Sequence, residues 1–301
     1  MQHVKTISYL KDKPVILVTG ANGQLGKELK EIAPSYPSFH FLFLSREDLP
    51  IHHFELVRKY FEVTQPDYCI NCAAYTAVDK AELEKELAFQ VNSEAVGVLA
   101  AVCQKHHTKF FHISTDYVFD GTSTIPYSED TPPNPLNSYG GSKLAGEQQA
   151  MKYNPDSIII RTSWVYSAYG KNFVKTMLKL MQEKSEISVV NDQFGSPTYA
   201  GDLAQLILMI VEKSESDPSG FKPGIYHYCN DGVISWYNFA GAIKKITGSH
   251  CILNPVTTAQ FPTTAKRPPY SVLNKEKIIR AYHPGIPYWE DSLKKCLEKL
   301  K

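Results

Sequence analysis

The sequence has no long apolar run. None approaches the roughly 20 consecutive apolar residues of a membrane-spanning helix, and the polar opening MQHVKTISYLKDK has no apolar stretch of the kind a secretory leader carries. No membrane partner is expected, and the expected compartment is the cytoplasm. An excess of charge is missing too. With 32 Lys+Arg against 31 Asp+Glu, no basic field offers itself to nucleic acid or an anionic surface. No nucleic-acid partner is expected, and the partner that remains is a small molecule. Cysteines are few and scattered, at 69, 72, 103, 229, 251 and 296. Only Cys69 and Cys72 form a C-x-x-C, inside YCINCAAY, which reads as a buried strand running into a loop rather than as a redox turn, so ordinary buried thiols are expected. Repeats and low-complexity segments are also absent.

What is present is an ordinary core. The 301 residues are 43% hydrophobic and 21% charged, enough for one large domain or two unequal lobes. Short β-branched and aromatic runs, Val15 to Val18, Phe39 to Leu44, Tyr68 to Asn71, Phe110 to Ile113 and Ile158 to Ile160, alternate with helical patterns. That alternation predicts an α/β fold of the Rossmann type, a doubly wound parallel sheet covered on both faces. The longest helical pattern, Ala81 to Lys105, is opened by Asp79. Beyond about residue 163 Pro, Tyr and Trp become frequent and alternation fades. Later strands are expected at Ile187 to Val190, Gly224 to Tyr228 and Val272 to Asn274, with helices near Asn172 to Gln182, Gly201 to Glu212 and Trp236 to Thr247.

The first strand ends in VTGANGQLGKEL, a G-x-x-G-x-x-G with Gly20, Gly23 and Gly26 that opens a helix. Glycines placed there permit a tight turn and let a pyrophosphate rest on the helix N-terminus. Gly20, Asn22, Gly23, Gln24, Leu25 and Gly26 are therefore candidate dinucleotide contacts. An acid about 20 residues on would grip the ribose hydroxyls of NAD. Here the second strand ends in Ser45 and Arg46. A guanidinium at that point can hold a 2′-phosphate, so use of both cofactors is expected with NADPH preferred over NADH; a surface arginine is the alternative. The third strand runs into Ala73, Ala74 and Tyr75, where small residues let a flat ligand approach the backbone. Residues 1–162 then form a dinucleotide-binding domain with crossing-back segments near 190–230, and 163–301 form mainly a substrate-binding lobe.

The fourth strand runs into Ser114, Thr115, Asp116 and Tyr117, at the same sheet edge. A hydroxyl there can hydrogen-bond a carbonyl oxygen about to become an alcohol; capping and turn work is the alternative. In NSYGGSKLAGE, residues 137 to 147, Tyr139 and Lys143 share a face if the segment is helical. An ammonium beside a phenol stabilises the phenolate, and such a pair can deliver a proton near neutral pH. Small residues at 140 to 142 leave room for a cofactor along the helix. Trp164, following the fifth strand, presents a ring that can stack on a sugar or base, or seal a junction between lobes.

These segments resemble a known family, the extended short-chain dehydrogenases/reductases, and within it the branch of the dTDP-4-dehydrorhamnose reductases. The resemblance runs along nearly the whole chain and rests on GANGQLG, NCAAYTAVDKAE, STDYVFDG, YGGSKLAGE, RTSWVYSAYGKNFVKTM, NDQFGSPTYAGDLA and RPPYSVLN. It implies NAD(P)H as hydride donor and a 4-keto nucleotide sugar as acceptor. By position it makes Thr115, Tyr139 and Lys143 the catalytic triad, with Tyr139 as proton donor, and turns Tyr117 and Trp164, beside Thr115 and Asp116, toward the sugar. Family members often carry an acid and an isoleucine after the second strand; Pro50 and Ile51 stand here instead. Some relatives are linked to Mg2+ at a dimer contact, but no carboxylate cluster with ligand spacing is present, so no catalytic metal is expected. Monomer and homodimer both stay open. Two other readings remain: a nucleotide-sugar epimerase or dehydratase that recycles bound NAD, and a non-catalytic NADP-binding regulatory subunit resembling the beta subunit of methionine adenosyltransferase.

Overall fold

The computed structural model describes residues 12–300; residues 1–11, which make up most of the polar opening, lie outside the described residues. Five strands of the N-terminal half, β1 (Val15–Thr19), β2 (His40–Leu44), β3 (Tyr68–Asn71), β4 (Lys109–Thr115) and β5 (Ile158–Thr162), align in parallel. Short pieces follow: β6 (Val165–Tyr166), β8 (Phe194–Gly195), β9 (Thr198–Tyr199) and β11 (Ile234–Ser235), with β7 (Glu186–Val190) paired to β12 (Ile252–Val256). Strand β10 (Gly224–His227) returns to the main sheet, whose order is β10-β5-β4-β3-β1-β2. The chain leaves β1 for β2 on one side and comes back for β3 on the other. The carboxyl ends of β1 and β3 thus flank the switch point where open α/β sheets take their ligands.

The helices are α1 (Gln24–Ile32), α2 (Phe54–Thr64), α3 (Lys85–Phe89), α4 (Ala95–Lys105), α5 (Ser138–Tyr153), α6 (Phe173–Glu183), α7 (Ala200–Ser216), α8 (Trp236–Thr247), α9 (Glu276–Tyr282) and α10 (Trp289–Glu298). Strand alternation divides the core. Ile16, Val18 and Ile70 meet Leu203 and Ile207 of α7 on one face, while Leu17, Cys69 and Phe110 meet Val57, Phe61, Val96 and Leu99 on the other. Each such side chain fully removed from water contributes about 1.5–3 kcal/mol. A separate core of Val174, Met177, Ile187, Phe239, Ile243 and Leu293 joins α6, α8 and α10 to the β7–β12 pair. All six cysteines are free thiols.

The structure departs from the sequence expectations in four places. The helix expected over Ala81 to Lys105 is instead a 3-10 turn (Lys80–Glu82), α3, a π turn (Gln90–Glu94) and α4. Asn92 explains the π turn. Its side chain accepts from Tyr75 N at 2.8 Å and donates to Tyr75 O and Ser142 Oγ at 3.0 Å, which pulls the backbone out of register. Asp79 does not cap this segment; its carboxylate takes Arg267 Nη2 at 2.7 Å and Ala265 N at 3.0 Å. Lys85–Lys105 does have the length and apolarity of a membrane span, against the expectation that no run comes near it, yet over half of its most apolar 18-residue stretch is buried within the protein as a core helix would be. Val272 to Asn274 form no strand, only a single bridge between Tyr127 and Leu273.

Candidate active site

The glycine loop is shaped by close approach. Gly20 has φ +64, and a Cβ there would lie 2.6 Å from Ala73 N; a Cβ on Gly26 would lie 2.6 Å from Gly20 O. No larger residue fits either position. Gly23 begins α1 with no side-chain cap, which leaves the first N–H groups of the helix facing outward. A cavity of about 460 Å³ opens over this loop, with Asn22, Arg46, Ile51, Ala73, Ala74 and Tyr75 in its wall. Arg46 is exposed at its rim. Ser45 is not in that wall: its buried hydroxyl accepts from Glu47 N at 3.2 Å and Asp48 N at 3.3 Å, so it holds the turn that aims Arg46. No acid stands at Pro50 or Ile51, but the nearby Glu47 does line the cavity.

A second cavity of about 540 Å³ shares Gly23, Cys72, Ala73 and Ala74 with the first. Gln24 and Leu25 reach it from α1, and Gln24 also ties the loop to the second lobe by accepting from Asn172 Nδ2 at 2.8 Å. Thr115, Asp116, Tyr117, Tyr139, Lys143 and Trp164 all line this cavity. The sequence sets their positions. Asn137 caps α5 by accepting from Gly140 N at 2.8 Å, so Tyr139 lies in the first turn and Lys143 one turn on, along the same face. Alternation along β4 gives its two hydroxyls different partners: Ser114 Oγ donates to Glu147 Oε1 at 2.5 Å and Thr115 Oγ1 accepts from Tyr117 N at 3.2 Å, while both residues line the cavity. The Tyr117 ring meets Tyr139 edge-on, 5.9 Å between centroids.

Of the small residues at 140 to 142, Gly140 and Ser142 are small for packing within the protein, while a Cβ on Gly141 would meet only Phe89 at 3.7 Å. A Cβ on Gly140 would lie 2.1 Å from Tyr117 O, and Ser142 Oγ donates to Tyr139 O at 2.7 Å while accepting from Asn92. The smallness of Gly140 and Ser142 lets α5 pack against its own protein.

Burial dominates the electrostatics. It pushes the Tyr139 phenol up to about 12, against a hydrogen bond from Thr115 that pulls it down. It lowers Lys143 to about 8, partly offset by the Glu147 carboxylate. Lys143 Nζ donates to Ile113 O at 2.6 Å. In this structure the phenol is therefore raised rather than lowered, and it stays protonated at neutral pH. Asp116 is likewise pushed up to about 6 by burial, and its Oδ2 has no hydrogen-bond partner among the described residues.

Several contributors carry no readable signal in the sequence. Trp236 stacks on Trp164, and Gly195 lies so close beneath that a Cβ would sit 2.8 Å from the Trp164 ring. Glu147 receives Arg161 Nε at 2.9 Å and Nη2 at 2.7 Å, both residues 2% exposed, behind the cavity wall. Such a pair stands between distant segments and has no periodicity to betray it. Among the described residues, no group of three or more His, Cys, Asp or Glu is placed to hold a metal ion.

Comparison with known proteins agrees with this geometry. A family model described as the RmlD substrate binding domain matches residues 14–301. A dTDP-4-dehydrorhamnose reductase of Aggregatibacter actinomycetemcomitans is 41% identical over 285 residues, 93% of this chain and 97% of that protein. The crystal structure of a dTDP-4-dehydrorhamnose reductase from Clostridium acetobutylicum superposes with a TM-score of 0.90 at 38% identity, covering 95% of this chain and 99% of that one. That of a Bacillus anthracis dTDP-4-dehydrorhamnose reductase in complex with NADP gives 0.89, again at 38% identity and with the same coverage of both chains.

Proposed function

The chain belongs to the RmlD substrate-binding-domain family, and on that premise we propose that it reduces the C4 ketone of dTDP-4-dehydro-6-deoxy-L-mannose to dTDP-L-rhamnose with NADPH. This is a step in making precursors of cell-surface polysaccharide. One observation carries the reading: the glycine-loop cavity and the cavity holding Thr115, Tyr139 and Lys143 meet at Ala73 and Ala74. A dinucleotide laid across that junction brings its nicotinamide end to the proton donor.

The residues fit such a cofactor, because the cradle at Gly20 and Gly26 is one a Cβ would fill. NADPH supplies the hydride when bound. Gly20, Asn22 and Gly23 hold the pyrophosphate, Arg46 the 2′-phosphate, and Lys143 the nicotinamide ribose. Thr115 fixes the ketone oxygen, Tyr139 protonates it, and Tyr117, Asp116 and Trp164 line the sugar. Tyr139 is suited to this as an acid, since burial keeps its proton on at neutral pH. We assign residues 1–162, with the returning α7 and β10, to the dinucleotide and most of 163–301 to the sugar, with the cytoplasm as compartment.

The test is loss of the nicotinamide absorbance of NADPH on adding freshly made dTDP-4-dehydro-6-deoxy-L-mannose. Stoichiometric consumption supports the reductase. Sugar conversion without net consumption would point to an epimerase or dehydratase, and NADPH binding without any turnover to a regulatory subunit.

A further inference from the structure

Among the described residues, several buried titratable side chains have no task in the proposed chemistry, and one of them, His112, lies against Lys143. His112, in the middle of β4, is fully buried behind Lys143, with Nε2 3.4 Å from Lys143 Nζ and Nδ1 3.1 Å from Asn71 Nδ2. The directions of the hydrogen bonds fix where its proton sits. Asn71 Oδ1 accepts from Thr19 Oγ1 at 2.6 Å and from Ala73 N at 3.2 Å. The backbone N–H of Ala73 can only donate, so the amide oxygen must lie on that side and the amide nitrogen must face the ring. Nδ1 therefore accepts. Burial keeps the imidazole neutral, well below its ordinary pKa, so its single proton is on Nε2 and points at Lys143. An ammonium offers three donors and no acceptor. Only the amine form of Lys143 has a lone pair for that N–H to reach.

We propose that His112 is a positioning residue, held in one tautomer by Asn71, that stabilises the uncharged amine of Lys143 left after Lys143 has returned a proton to Tyr139. This rests on the reduction described above. There, the Tyr139 O–H bond breaks as the C4 oxygen takes its proton and the C4 carbon is reduced by hydride from NADPH. The resulting phenolate takes a proton from the Lys143 ammonium, leaving the amine, and a solvent proton restores the ammonium. Nζ can donate to Ile113 O in both forms, so the side chain keeps its aim while its charge changes. Glu147, one turn further along α5, favours the ammonium and is itself held by Arg161 of β5 and Ser114 of β4. Tyr139, Asp116 and the Cys72 thiol share its cavity. His112 and Glu147 pull Lys143 in opposite directions.

His112→Phe keeps a ring and removes both nitrogens, whereas His112→Gln keeps an amide donor near Lys143. The titration of Lys143 is followed in the full chain by NMR of 13C-labelled lysine, its signal identified by loss in Lys143→Met. The pH profile of kcat/KM is measured alongside. His112→Phe should move the Lys143 midpoint and the alkaline limb upward by about one pH unit, and His112→Gln should restore most of that shift. Should His112→Phe not fold, Asn71→Ala provides the second route. It frees the ring to carry its proton on Nδ1 and accept from the ammonium, and should raise the midpoint in the same direction. An unchanged or lowered midpoint in a variant that melts cooperatively and binds NADPH overturns the proposal. The midpoints need no turnover, so a wild type that binds NADPH but leaves the ketone unreduced would remove the proposed function while still deciding the role of His112.

Discussion

The indole rings of Trp164 and Trp236 lie stacked, 3.6 Å between centroids and 11° between planes, in the wall of the cavity that holds Tyr139 and Lys143. Trp164 sits at φ +48, a left-handed conformation that costs a residue with a Cβ about 1–3 kcal/mol. The stack with Trp236 offsets that cost, and the missing side chain of Gly195 gives the ring its space. Trp164 both lines the cavity and packs on the second core, as a ring at the junction between lobes does, and a sugar contact of the same ring is open to a kinetic test.

Trp236→Leu should therefore raise KM for the nucleotide sugar several-fold while changing kcat less, because Trp164 loses the surface behind it. Paired with Trp164→Phe in a double-mutant cycle, the coupling should be about 0.5–1.5 kcal/mol. Strictly additive effects on kcat/KM would mean the stack does not position the ring.

Tyr139→Phe removes the proton donor and little volume, so turnover should fall by roughly 10²-fold or more, with NADPH affinity nearly unchanged by fluorescence titration. The pH profile divides the two partners. The phenol, up to about 12, stays protonated throughout the working range, whereas Lys143, at about 8, does not. Reduction should decline above about pH 8 as the ammonium is lost, and Lys143→Met should give a low, flat profile there. A decline beginning only near 12 would assign the limb to the phenol.

Much of this site is written locally. The glycine loop, the Tyr139–Lys143 spacing and the strands of the sheet are each visible within a dozen residues, because turn geometry and helical periodicity are short-range properties. What is not legible depends on long-range contact. The π turn arises from Asn92 reaching Tyr75 and Ser142, Trp236 comes from a distant helix, and His112 lies in a strand whose apolar texture gives no reason to single it out. Helices α9 and α10 escape the sequence pattern for a related cause. Their apolar residues stand among charged ones, and only packing on the finished core shows which face is buried. The small residues Gly140 and Ser142 suggest space for a ligand but are space for Tyr117 and Asn92, two meanings that composition alone does not separate.

Arg46 at the rim of the glycine-loop cavity meets the 2′-phosphate in the proposed pose, with Glu47 beside it in the same wall. A charge-assisted contact contributes about 1.5–3 kcal/mol, so kcat/KM should favour NADPH over NADH by roughly tenfold to a hundredfold. Arg46→Ala should shrink that ratio, and Glu47→Gln should widen it by removing a like charge from the phosphate. An NADH preference in the wild type, or a ratio that ignores Arg46, would show the loop is misassigned.

Asp116 links stability to function through pH. Its carboxyl is 2% exposed and Oδ2 meets no hydrogen-bond partner among the described residues, so burial raises it from 3.8 to about 6. The folded protein then holds this proton more tightly than the unfolded chain does. The stabilising contribution is fully present below about pH 4 and is lost as pH rises through 6. A tenfold difference in proton affinity between the folded and unfolded chain corresponds to about 1.4 kcal/mol, so the loss at neutral pH is roughly 1–3 kcal/mol. Asp116→Asn removes the titration, so the gap in urea-unfolding free energy between variant and wild type should open in the variant's favour from pH 4 to 7. The same variant should bind the nucleotide sugar more weakly if Oδ2 is kept unpaired to accept a sugar hydroxyl. A gap that stays constant across that pH range would mean the carboxyl is not the buried acid its surroundings describe, and unchanged sugar affinity would detach it from the substrate.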